Sequence, residues 1–146
     1  MKRRLLAVAS LLIALAMPYQ LLAEGTTPLP PAEVESIQRA VRLQLHAFSE
    51  DDAVRAFELA TPSIRSQMGS PENFLRIIKE EFSPIYRNLM VIFSRPEVMG
   101  ESTIQIVRLT DSSSRVWLAV YSMERDTGGS WKIDGCQLIE TSSVSV

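Results

Sequence analysis

The chain has 146 residues, 46% of them hydrophobic and 22% charged, with a formal net charge of −2, one histidine and one cysteine. That length suits one domain. Ordinary glycine content and mixed composition exclude collagen, coiled-coil and low-complexity chains, a single cysteine excludes a disulfide scaffold, and the acidic balance argues against a nucleic-acid binder.

Lys2, Arg3 and Arg4 precede an apolar run from Leu5 to Met17 broken only by Ser10, and Leu21-Leu22-Ala23 places a small residue at a cleavage point. This is the layout of a secretory signal peptide over residues 1–23. The run is short for a membrane span, and an uncleaved anchor is the other reading. Cleavage would remove three of the fifteen basic residues and none of the seventeen acids, leaving a charge of −5. Such a chain is not drawn to anionic lipids or phosphate backbones, and no stable membrane span is expected after cleavage.

Residues 24–30 form a short linker stiffened by proline. Pro31 can open a helix because its missing N–H would be unpaired there, and Glu33 and Glu35 suit the positive end of the helix dipole. Val34, Ile37, Val41, Leu45 and Phe48 then give one apolar face of a helix ending near Glu50. Asp51 or Asp52 caps a second short helix with Val54, Phe57 and Leu59. Thr61-Pro62 repeats the cap-then-proline signal and opens one more short turn, with Ile64 and Met68 inward and Gly69 at its end. Ser70-Pro71-Glu72 uses the same signal again to start a helix that buries Phe74, Ile77, Ile78 and Phe82, and Ser83-Pro84 ends it.

The rest reads as strands. Leu89 to Phe93 is an apolar run, Thr103 to Leu109 and Val116 to Met123 alternate, and Trp131 to Ile139 is the last candidate. Arg95-Pro96, Asp111 with three serines, and Asp126-Thr127-Gly128-Gly129 separate them. Helices first and strands second indicate an α+β domain over residues 31–140 with an antiparallel sheet of about four strands; residues 141–146 are a polar tail, expected to fray. A three-residue loop within Asp126–Ser130 would set Glu124 against Lys132 and Arg125 against Trp131. That register puts Trp117, Tyr121, Trp131, Ile133 and Ile139 on one face and Val116, Leu118, Val120, Cys136 and Leu138 on the other. The aromatic face is expected to meet the helices. The aliphatic face, with nothing left to cover it, is expected to form a homodimer packed sheet to sheet.

Helices followed by an antiparallel meander, ending in Gly129-Ser130-Trp131-Lys132-Ile133, resemble the nuclear-transport-factor-2-like, or cystatin-like, cone. Ala47-Phe48 followed by Asp51-Asp52, Ala60-Thr61-Pro62-Ser63-Ile64, Ser70-Pro71-Glu72-Asn73-Phe74 and Pro84-Ile85-Tyr86-Arg87 extend the likeness. With Trp117, Ala119-Val120-Tyr121 and Trp131-Lys132-Ile133-Asp134-Gly135-Cys136, they resemble the exported bacterial proteins of domain-of-unknown-function family 4864. The resemblance covers residues 34–140 and implies the cone fold and export to a bacterial periplasm or the medium. It implies no reaction.

Few residues can carry chemistry. His46 falls opposite the apolar stripe of its helix, where a solvated histidine is the ordinary case. With no second histidine and no cysteine pair, a zinc site is not expected, and neither is any other metal or cofactor. Cys136 reads as an apolar filler in a strand, although an unpaired thiol is unusual in an oxidising compartment. Asp51-Asp52 reads as helix capping and Glu80-Glu81 as a solvated face. No phosphate loop or nucleophile elbow is present.

Tyr86, Trp117, Tyr121 and Asp134 are the candidate pocket residues. The leading expectation is an exported, non-catalytic module that binds a small apolar ligand or a protein partner in the concavity between helices and sheet. The alternative is a small pocket enzyme, an isomerase, dehydratase or hydrolase, with Asp134 as base and Tyr86 or Tyr121 as hydrogen-bond donor. A third reading works through a flat surface and needs no pocket.

Overall fold

The computed structural model describes residues 27–141. The expected leader and most of the linker lie outside them, as does the tail beyond Thr141. Five helices come first: α1 (Pro31–Ser49), α2 (Ala53–Glu58), α3 (Pro62–Met68), α4 (Pro71–Glu81) and α5 (Ser83–Tyr86). Five strands follow: β1 (Asn88–Phe93), β2 (Glu97–Met99), β3 (Ser102–Asp111), β4 (Val116–Arg125) and β5 (Trp131–Glu140). They form one open antiparallel sheet in the order β1-β3-β4-β5, with β2 also paired to β3. No helix among the described residues is long and apolar enough to cross a membrane.

The helix boundaries follow local chemistry. Pro31 starts α1 without a side-chain cap. The end of α1 is a Schellman turn: the amide of Asp51 donates to Phe48 at 3.1 Å and that of Asp52 to Ala47 at 2.8 Å. Asp51 occupies the left-handed position, φ 54°, which aspartate tolerates better than most residues. The adjacent acids thus divide their work, because Asp52 is the residue that caps α2, accepting from the Arg55 amide. Thr61 and Ser70 cap α3 and α4, each ahead of a proline. Ser83-Pro84 has a second role besides following the end of α4. Proline's fixed φ also suits a first helical turn, and one turn of helix, α5, forms there.

Ile37, Val41 and Phe48 of α1 are buried with Phe74 and Ile78 of α4, Ile85 of α5, and the sheet residues Val107, Leu109, Ala119, Tyr121 and Ile133. Every second residue of β3 and β4 therefore faces the helices. Trp131 donates its indole N–H to Glu33 at 2.7 Å, and Arg125 pairs with the same carboxylate, fastening the start of α1 to the last hairpin.

The β4–β5 hairpin has the expected near-end register, Glu124 opposite Lys132 and Arg125 opposite Trp131. Asp126 donates its amide to the Ser130 carbonyl at 2.8 Å, and Gly129 takes the left-handed φ of 83° that the loop requires. Beyond it the pairing shifts. Met123 faces Ile133, but Ser122 faces Gly135, so Asp134 is an extra residue on β5. One extra residue reverses the facing of everything after it. Cys136 lies opposite Tyr121 and Leu138 opposite Ala119, on the helix side, while Ile139 lies opposite Leu118 on the outer side and is half exposed. The expected facing of Cys136, Leu138 and Ile139 is corrected accordingly. Trp117, Tyr121, Trp131 and Ile133 keep the expected inner face, and Val116, Leu118 and Val120 the outer one.

The bulge has a physical cause. The outer edge of β5 is docked to the α2–α3 connection: Ile133 donates to the Leu59 carbonyl and accepts from the Thr61 amide, both at 2.9 Å. The next residue, Asp134, accepts from the Thr61 hydroxyl at 2.7 Å. Gly135 then continues the strand without a side chain.

Candidate functional site

Between the helices and the inner face of the sheet lies a cavity of about 170 Å³. Its floor is Tyr121, Ile133 and Cys136. Phe48 and Gln44 close it from α1, Ile64 and Met68 from α3, and Phe74, Ile77 and Ile78 from α4, with Phe82 and Ile85 at the far wall. Ile64, Met68, Ile77 and Phe82 are only half-buried and form its rim. No charged side chain lines it among the described residues.

The helix stripes that make this wall are the ones the 3.6-residue period picks out. Small groups in the lining, Ala60, Gly135 and the Cys136 thiol, leave the space between these stripes and the sheet unfilled. The Phe48 and Phe74 rings meet edge to face, 5.6 Å between centroids, in the buried part of the wall.

Three polar residues line the cavity: Gln44, whose side-chain amide donates to the Ala56 carbonyl at 3.1 Å, and, on the sheet side, Tyr121 and Cys136. The Tyr121 hydroxyl is buried and makes no well-formed hydrogen bond among the described residues; the weakly accepting Cys136 sulfur lies beside it. Burial pushes its ionisation well above that of a free phenol, and the neighbouring Cys136 adds to the shift. The Cys136 thiol is pushed up to about 12 by burial, an effect the Tyr121 hydroxyl partly offsets. At neutral pH both groups are therefore uncharged, and Cys136 lacks the thiolate that nucleophilic chemistry needs.

The other candidate residues lie elsewhere. Asp134 does not line the cavity; its carboxylate is held by Thr61. Trp117 donates its indole N–H to Asp111 at 2.9 Å. Tyr86 donates to Asp51 at 2.7 Å in a separate polar groove shared with His46, Ser49, Arg87 and Asn88. There the Tyr86 hydrogen bond, then Lys79 at 3.2 Å, hold the Asp51 carboxyl below its ordinary value, and Asp51 raises Lys79 in turn. His46 is exposed on that rim. Of the four expected pocket residues, only Tyr121 reaches the cavity, and the structure does not bring Asp134 together with either tyrosine at it.

Cys136 was missing from the expected pocket because the bulge turns it inward. A glycine inside a strand pattern, Gly135 directly after a polar Asp134, is the sequence signal for such a bulge. Among the described residues no group of three His, Cys, Asp or Glu side chains is placed to hold a metal ion.

A helical layer packed over an open antiparallel sheet makes this an α+β domain. The family model described as "Domain of unknown function (DUF4864)" matches residues 31–146, and the chain belongs to that family. No curated protein and no solved structure matches it.

Proposed function

We propose that this protein is a non-catalytic binding module whose cavity takes a small, largely apolar molecule. The observation that carries this is the cavity itself: lined mainly by aliphatic and aromatic side chains, with Gln44, Tyr121 and Cys136 as its few polar residues, and free of charge among the described residues. Ligand sites have this composition, an apolar lining with a few polar groups that fix orientation. The pocket-enzyme alternative is less favoured, because it requires a desolvated carboxylate at the reacting centre, whereas Asp134 caps a contact with Thr61 outside the cavity.

Native mass spectrometry of protein recovered from its host's envelope tests the proposal. The expected result is a retained small molecule, or, for empty protein, uptake of benzene or xenon seen as shifts of the Ile77, Ile78 and Met68 methyl resonances. Empty protein that takes up neither overturns it.

We also propose that the protein is exported, on the strength of the charged and apolar leader ending at Ala23. The helices-then-strands order and the tryptophan-led last strand further favour kinship with the cystatin-like cone.

The outer face of the sheet favours self-association as a second property. Ile92, Leu118 and Ile139 lie in one row across β1, β4 and β5, with Arg108 of β3 between the first two. Ile92 and Ile139 are each half exposed. Strands about 4.8 Å apart, four abreast and about 25 Å long, present roughly 450 Å². That is small beside the ~800 Å² a protomer gives to a standard interface, so the expected homodimer is weak. A second copy is the simplest occupant, since one two-fold axis lets the same apolar row meet itself.

A further inference from the structure

We propose that the free edge of β1 takes an extended, acidic peptide segment of a partner protein as an added strand, seated in the trough between that edge and α1. This surface is separate from the cavity.

The edge has spare backbone groups. β1 pairs with β3 on one side and with no strand on the other among the described residues. The amide of Ser94, just past β1, donates to Ile106 of β3 at 3.1 Å, and two residues back Ile92 lies opposite Arg108. Hydrogen-bonded and non-bonded pairs alternate along an antiparallel ladder. Ile92 therefore turns its amide and carbonyl to β3, while Val91 and Phe93 turn theirs outward. Natural edges carry a lysine, a proline or a bulge against unwanted pairing. From Leu89 to Phe93 the strand has no charge and no proline, and its bulge lies at the near end, between Asn88 and Met90. Leu89, Met90 and Ile92 are at least half exposed.

The trough has the shape of a strand. A space of about 530 Å³ is bounded by Gln38, Arg42 and Leu45 of α1 and by Val91, Ile92 and Phe93. Neighbouring strand residues face opposite sides of a sheet, so a space that touches three in a row lies along the edge itself. At Leu45, which lines both, it meets the polar groove of Tyr86. Together the two run along α1 from Gln38 to Ser49, roughly 16 Å at the helical rise. On the other side they follow the six residues of β1, roughly 20 Å of strand. That matches about five or six residues of extended chain.

Charge selects the occupant. Arg42 and Arg87 are exposed, and neither pairs with an acid among the described residues. The Arg42 guanidinium lies over the Phe93 ring, 4.3 Å from its centroid, and Arg87 directly precedes β1. Asp51 is the one carboxylate among the lining residues, and Tyr86 and Lys79 already engage it. The chain as a whole is acidic, with a net charge of −2, so this cationic margin runs against its overall sign. In strand addition the main chain supplies affinity and alternate side chains supply specificity. Here carboxylates meet the two arginines, and apolar side chains lie beside Met90 and Ile92. A second copy pairing edge to edge would bring its own Arg42 to the trough, cation against cation, which disfavours it.

The test titrates the purified protein at pH 7 with three peptides, acetylated and amidated at their ends. They are Val-Glu-Val-Glu-Val-Glu, Val-Lys-Val-Lys-Val-Lys, and Val-Glu-Pro-Glu-Pro-Glu, which keeps the charge but cannot form a regular strand. Amide chemical shifts report affinity, and hydrogen exchange reports backbone pairing. In free protein the Val91 and Phe93 amides should exchange faster than that of Ile92. The acidic strand peptide should slow both by about tenfold or more, and bind about tenfold more tightly than either other peptide. Arg42→Glu should reverse the order of the acidic and basic strand peptides, with its urea midpoint reporting that it is folded. The exchange measurement on wild type needs no variant.

Equal affinity for all three peptides, an unchanged order in folded Arg42→Glu, saturation without protection of Val91 and Phe93, or no binding at about 5 mM peptide overturns the proposal. Protection of those two amides without peptide, rising with protein concentration, assigns the edge to a second copy and overturns it too. None of these results bears on the cavity.

Discussion

The Thr61 hydroxyl donates to the Asp134 carboxylate at 2.7 Å across 73 positions of the chain, and the same oxygen caps α3 by accepting from the Ile64 amide at 3.3 Å. One buried side chain thus ties the start of a helix to the bulge in the last strand. The bulge turns Cys136 toward Tyr121, so this bond positions the cavity floor. Thr61→Val keeps the shape and removes the hydroxyl, with an expected loss of about 2 kcal/mol from the cap and the charged hydrogen bond together. Combining it with Asp134→Ala should give a coupling energy of about 1 kcal/mol in a double-mutant cycle read by urea denaturation. Additive losses would mean that the pair contributes nothing jointly.

Ser70 accepts from the Asn73 amide at 3.1 Å at the start of α4. Its removal leaves that amide without the cap, and α4 carries Phe74, Ile77 and Ile78 into the cavity wall. Ser70→Ala should cost about 1 kcal/mol, measured as a shift in denaturation midpoint at unchanged slope. An unmoved midpoint would count against the cap.

Much of this architecture is legible in the residues, and the exceptions have specific causes. Cap-then-proline pairs at Thr61-Pro62 and Ser70-Pro71 mark two helix starts because proline's φ and the capping oxygen act locally. The alternation in β3 and β4 marks a sheet with one covered face. β2 escapes because three residues show no alternation, and α5 because proline both stops one helix and starts another. Cys136, Leu138 and Ile139 face opposite to the unbroken alternation, since a bulge at Asp134 reverses it; Gly135 is its one local sign, and the Thr61–Asp134 contact that accompanies it is long-range. The cavity follows the same logic. Its wall residues read as core from their spacing, and only the packed structure leaves a gap above Tyr121.

Export has a direct chemical readout. Charged residues 2–4, the apolar run and Ala23 place the cut after Ala23. N-terminal sequencing of protein recovered from outside the cytoplasm should start at Glu24. An intact Met1 on membrane-extracted protein would instead indicate an anchor.

Asp111 links stability to pH. Its carboxylate accepts from the Trp117 indole at 2.9 Å, from the amides of Arg115 and Ser113 at 3.0 and 2.8 Å, and from the Arg115 guanidinium at 3.1 Å. These interactions, the Trp117 bond first, hold the folded-state carboxyl below its ordinary value of 3.8. A depressed folded value means that the unfolded chain takes up the proton first. The stabilisation is therefore complete above the unfolded value and is lost as pH falls through the lower, folded one. Asp111→Asn should lower the urea midpoint at pH 7 and flatten its decline below pH 4. Asp51, also depressed, keeps its own share in the variant. A variant whose pH profile runs parallel to wild type would remove Asp111 from the linkage.

The outer sheet face supplies the last expectation. Leu118 sits in its middle strand pair, beside Ile139 of β5 and across from Arg108 of β3. With Val116 and Val120 it forms the apolar centre of the face, while Cys136 and Leu138 face the helices and take no part. If two copies pack face to face, Leu118 meets apolar surface from the partner, and Leu118→Lys would place a charge there without a counter-ion. The lysine stem can reach solvent in an isolated protomer, so the variant should keep its circular dichroism and denaturation midpoint at low concentration. Light scattering on the wild type should show mass rising toward the dimer over a range of about 10–100 μM, as a weak interface of this size implies, while the variant stays monomeric throughout. Wild-type protein that remains a monomer at the top of that range would overturn the self-association, and the apolar row would then be an ordinary exposed sheet face.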